Sequence, residues 1–162
     1  MENEIGKYLG QVGNAHLSDV TKQTIRAMLR EIGELESIGD SFFNLGRALM
    51  RKKKQEVTFT PAQEAGLKEM YGLLEQCMDQ MILVLQGTAD EQESARLEIA
   101  LNGCRDKLRS QNESAVDEHD YNYACSTIYM DLVEECEQCG DYIVNVVEAK
   151  IGRKIEKIEK KA

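Results

Sequence analysis

Tryptophan is absent from this 162-residue chain, which also has one proline, two histidines and three phenylalanines. A single proline leaves long stretches free to stay helical, because proline breaks helix interiors by clash and by loss of a donor. Nowhere do about 18 apolar residues run together, so no segment is expected to span a membrane. Positive charge is also scarce, with 20 Lys and Arg against 29 Asp and Glu, for a net charge of −9. Nonspecific nucleic-acid binding needs the opposite sign to displace counterions, so no nucleic-acid partner is expected. The opening Met1-Glu2-Asn3-Glu4 is acidic and has no apolar core, so no signal peptide is visible.

The five cysteines are an odd number without disulfide-framework spacing. This predicts a reduced, cytoplasmic protein. Cys136-x-x-Cys139 lacks both the βαβ setting of a redox motif and the second pair of a zinc ribbon. Two small apolar residues one helical turn apart read as core filler.

What remains is helical. Residues 2–13 form a short amphipathic segment that ends at Gly13-Asn14. Ser18 then caps a second helix running to about Lys54, with Asp19 in its first turn. The basic run Arg51-Lys52-Lys53-Lys54 suits the negative end of a helix dipole and reads as a solvated terminus. Thr60-Pro61-Ala62-Gln63 combines a capping box with proline at the first helical position, opening a helix to Gln86. Thr88-Ala89-Asp90-Glu91 predicts a second capping box and a helix to about Ser110. Residues 111–117 read as a polar loop, and a last helix is expected from near Glu118 to as far as Lys160. Its apolar stripe comprises Leu132, Cys136, Ile143, Val147, Ile151, Ile155 and Ile158. No alternating β pattern competes, so the expected fold class is all-α.

The sharpest feature is a cassette that occurs twice, 101 residues apart. Glu34-Leu35-Glu36-Ser37-Ile38-Gly39-Asp40 with Asn44 matches Glu135-Cys136-Glu137-Gln138-Cys139-Gly140-Asp141 with Asn145 as E-x-E-x-x-G-D-x-x-x-N. Each copy holds a glycine within a helix, where alanine would be more stable by about 1 kcal/mol. On a helical wheel centred on Cys136, Glu137, Asp141 and Asn145 fall at about 100°, 140° and 180°, on the flank and outer face. The glycines are expected toward the edge away from the core, where something approaches the backbone. Glutamate and aspartate four residues apart share a face and repel unless a cation bridges them. Glu36 with Asp40, and Glu137 with Asp141, are therefore candidate ligands for a hard or transition cation, needing further donors to complete its shell. A solvated acidic face is the bland alternative.

The cassettes resemble the signature of the PhoU family, an acidic-Leu-Glu-x-Ile-Gly-Asp-x-x-x-Asn stretch on the third helix of each of two tandem three-helix bundles. The resemblance implies PhoU-like up-down bundles and surface metal, iron or zinc, at Glu36, Asp40, Glu137 and Asp141. Asn44, Asn145, Glu98 and Asp106 would be supporting residues. It also implies a regulator of phosphate transport rather than an enzyme. Residues 60–162 match a complete second bundle, and residues 1–55 match the end of the second helix and the third helix of a first. That division resembles the cytoplasmic tail of a bacterial sodium/phosphate cotransporter, held at the inner face of the cell membrane through the parent protein. Its partners would be the membrane portion of the transporter or a phosphate-signalling protein. An incomplete first bundle would leave apolar surface bare, so a homodimer is expected. On the second helix Asn102 and Arg105 depart from the family's acidic pattern, and Arg105 would repel a cation.

Two other readings compete. A ferritin-like di-iron bundle needs Glu-x-x-His motifs pointing inward. Here neither His16 nor His119 follows a glutamate by three, and His119 reads as an exposed residue at a helix start. A metal-free helical scaffold is the second, supported by the spaced isoleucines Ile151, Ile155 and Ile158 with Lys and Glu between.

Overall fold

The computed structural model describes residues 2–13, 18–117 and 123–155, and within them the protein is all-helical. Five helices follow one another: α1 Glu2–Gly13, α2 Asp19–Lys54, α3 Pro61–Leu85, α4 Gln92–Asp117 and α5 Tyr123–Ile151. The starts of α2 and α3 form by the predicted capping chemistry. Ser18 Oγ accepts from the Thr21 N–H at 3.2 Å. Thr60 Oγ1 accepts from the Gln63 N–H at 3.2 Å, while Gln63 Oε1 accepts from the Thr60 N–H at 3.1 Å. Each of these N–H groups would otherwise be an orphan donor.

Three expectations need correction. Thr88 does not cap α4. Its N–H and its hydroxyl both donate to the Leu83 carbonyl, at 3.0 Å each, closing the end of α3 around Gly87 at φ +73°. Asp90 instead holds the Gln92 N–H at 2.9 Å, and α4 begins there. The polar loop over residues 111–117 is helix: Gln111, Glu113 and Ser114 sit on a solvent face while Asn112 turns inward. Asn112 is 4% exposed and donates to Ser126 Oγ at 2.7 Å. Finally, α5 stops at Ile151 rather than continuing. Gly152 adopts φ +73° and donates its N–H to the Glu148 carbonyl at 2.9 Å, a left-handed helix ending that glycine enters without steric cost. Ile155 is buried from the non-helical segment after α5, so the isoleucine repeat is not a helical stripe there. His16, His119, Glu118, Ile158 and Lys160 lie outside the described residues.

α3, α4 and α5 each pack against the other two, whereas among the described residues α2 packs on α5 and α1 only. One apolar cluster runs through the molecule. It joins Ile38 and Leu45 of α2 to Met70, Leu101, Leu108, Leu132 and Ile143 of the three-helix unit. Phe59, between α2 and α3, plugs its end with an edge-to-face contact on Tyr129 at 5.8 Å. Cys136 and Cys139 lie at its centre, both 0% exposed, as core filler. α5 is thus enclosed on several sides, and a single-stripe wheel understates how much of it is buried.

Candidate functional site: the paired acidic cassettes

The two cassettes meet across the contact between α2 and α5. Asn145 Nδ2, at the end of the second, donates to Glu34 Oε2, at the start of the first, at 3.1 Å. Asn44 Nδ2 approaches Glu135 Oε1 in the reciprocal arrangement at 3.5 Å. The opening glutamate of each copy therefore receives the closing asparagine of the other. This fixes α2 antiparallel to α5 and relates the halves by an approximate twofold. Asn44 and Asn145 act as helix–helix clasps, a role that spacing along one helix does not disclose.

The glycines of the two copies differ. Gly140 is buried, and a Cβ there would meet Leu101 Cδ2 of α4 at 2.2 Å. Four residues beyond Cys136, it shares that residue's core-facing side and does not lie at the edge away from the core. Gly39 is exposed, and a Cβ there would have no described atom beyond its own helical turn within 4 Å. The same register position is thus covered by a helix on α5 and uncovered on α2.

Around the second cassette, Glu98, Asn102, Glu137, Asp141, Asn145 and Glu148 line a groove of about 410 Å³, with Lys154 at its edge. Asp141 is exposed and Glu137 partly buried. Glu137 forms a close ion pair with Arg105, which also holds Asp106 at 2.9 Å. Burial pushes the Glu137 carboxyl above the usual glutamate range; the neighbouring Asp141 charge adds to this and Arg105 opposes it. Asp106 faces Arg105 and takes no part in lining the groove. The Asn102 Oδ1 atom is buried and accepts no hydrogen bond from the described residues.

Glu148 was not a candidate from sequence, yet it organises one end of this groove. Its carboxylate is 6% exposed, accepts from the Ile155 N–H at 3.0 Å, and lies 2.5 Å from Lys154 Nζ and 3.6 Å from Arg30. It ties the segment after α5 back onto α2. The available signal was a lone glutamate inside Val146-Val147-Glu148-Ala149.

Glu36 and Asp40 are exposed on α2, outside this groove. Among the described residues no three His, Cys, Asp or Glu side chains gather as a metal-holding group. Each cassette holds three carboxylates, of which the opening glutamate faces the asparagine of the other cassette, and the Glu137 carboxylate is shared with Arg105. No described helix is long and apolar enough to cross a membrane. Comparison of the chain with protein-family models, with curated proteins and with solved structures found no match.

Proposed function

We propose that this chain is a PhoU-like regulatory module of phosphate transport, the cytosolic part of a sodium/phosphate cotransporter. In this reading it acts by docking onto the membrane portion of the transporter or onto a phosphate-signalling protein, and it performs no chemistry of its own. The observation that carries the proposal is the reciprocal pairing of the duplicated cassettes across α2 and α5. Their opening and closing residues are used to join the two halves. Glu36, Asp40 and Asp141 are left facing outward, with Glu137 beside them. These carboxylates form the docking surface, and a metal held there would take the rest of its ligands from water or from the partner.

A metal-free scaffold is the second reading, and the Arg105–Glu137 pair favours it, because a guanidinium already supplies the charge a cation would bring. Two measurements test these proposals. In cells whose transporter carries this chain, Asp40→Ala with Asp141→Ala should abolish phosphate-dependent control of uptake. Folding should be largely unaffected, since surface substitutions usually cost within about 0.5 kcal/mol. Normal control in the double variant would refute the docking role. Elemental analysis of the purified protein separates the two readings. Stoichiometric iron or zinc that is lost in Glu137→Ala/Asp141→Ala supports a cassette metal, and an empty, unloadable protein supports the scaffold.

A further inference from the structure

The internal repeat gives each half of the molecule a control in the other. On α5 the positions Cys136, Ile143 and Val144 are 0%, 1% and 6% exposed, beneath neighbouring helices. Their counterparts on α2, 101 residues earlier, are Leu35, Phe42 and Phe43, exposed by 44%, 48% and 67%. Leu49 and Met50 extend this apolar strip by two more exposed side chains, at 47% and 73%. From Leu35 to Met50 the strip is about 23 Å long at 1.5 Å per residue. So large a contiguous apolar face is unusual on a monomer and marks a binding surface.

Its charges specify the occupant. Glu36 and Asp40 lie on one flank of the strip ahead of Phe42, and Arg47 lies on the same flank beyond Phe43. At the strip's ends, Glu31 precedes it and Lys53 follows it. In an antiparallel helix pair related by a twofold, each flank meets the same flank of the other copy. We infer that the bare face of α2 is an isologous interface with a second copy of this chain, α2 against α2 in antiparallel register, centred between Phe42 and Phe43. In this register Phe42 packs on the other copy's Phe43, and Leu35 packs on its Met50. Gly39 lies opposite Gly46, and beyond their own helical turns neither has any described atom within 4 Å of where a Cβ would be, so the two backbones are able to approach closely. Glu36 and Asp40 then flank the other copy's Arg47, and Glu31 meets its Lys53. Glu36 and Asp40 belong also to the docking surface proposed above; the dimer is read by association alone and does not rest on that role.

The test uses the whole chain. Sedimentation equilibrium should give a dimer that Phe43→Glu weakens at least about thirtyfold, as expected for loss of a central aromatic anchor. The variant should keep wild-type circular dichroism, because Phe43 is exposed within the monomer. Arg47→Asp should weaken the dimer, and adding Glu36→Arg with Asp40→Arg should restore it toward wild type. All five native cysteines are buried, so an introduced thiol reports position. Phe43→Cys should form a disulfide with its own copy under mild oxidation. Val20→Cys should not, since antiparallel pairing sets the two copies of that position about 67 Å apart along the helix axis. A monomeric wild type would overturn the inference. So would a dimer indifferent to Phe43→Glu, failed restoration by the triple charge exchange, or efficient cross-linking through Val20→Cys.

Discussion

Gly39 and Gly140 occupy one register position yet obey different constraints. At Gly140 an added methyl would strike Leu101, a side chain itself only 1% exposed and without room to retreat. Gly140→Ala should therefore destabilise the protein by about 1–2 kcal/mol, the overpacking cost exceeding the gain in helix propensity. Gly39 is an open mid-helix site, where Gly39→Ala should stabilise by up to about 1 kcal/mol. Urea denaturation in a Phe43→Glu background, where association does not enter, would measure both. Equal effects at the two sites would contradict the packing difference. The sequence marks both glycines as costly and repeated, but not that only one has a helix above it. That depends on where α4 lies, roughly forty positions earlier in the chain.

At the scale of helices, the α2–α5 pair is clasped by two similar contacts of unequal quality. Glu34 and Asn145 are both partly buried and 3.1 Å apart, whereas Asn44 is exposed and 3.5 Å from Glu135. A double-mutant cycle with Glu34→Ala and Asn145→Ala should give a coupling of about 1 kcal/mol. The corresponding cycle with Asn44→Ala and Glu135→Ala should be near zero, since water competes for exposed polar groups. A larger coupling at the exposed pair would argue that α2 and α5 are not clasped as described. Helix starts such as Ser18 and Thr60 were legible because their chemistry is local, within three residues of the cap. The ends of α4 and α5 were not. The continuation through residues 111–117 depends on Ser126 receiving the Asn112 amide, a contact with another helix.

For the molecule as a whole, the cysteines report how closed the core is. Cys136 and Cys139 have thiols pushed up to about 12, and Cys77 to about 11, chiefly by burial. A buried thiol that stays protonated is a poor nucleophile. None of the five native cysteines should react with a water-soluble aromatic disulfide reagent in the folded protein, and all five should react in denaturant. Phe43→Cys should react once per chain when folded and monomeric. Native labelling of Cys136 or Cys139 would contradict their place in the core.

The sequence by itself determined the all-helical class, the starts of α2 and α3, the thiols as apolar filler and the duplicated register of the cassettes. Each follows from side chains acting within a few residues, or from a pattern that repeats along the chain. Only the tertiary structure decided what the cassettes do. It set Asn44 and Asn145 against the glutamates of the opposite copy, set Arg105 on Glu137, and buried Glu148 beneath the segment that follows α5. It also left α2 uncovered where α5 is enclosed. Those outcomes depend on which helices become neighbours, and neighbours far apart in the chain are chosen by packing of the whole core rather than by any local preference.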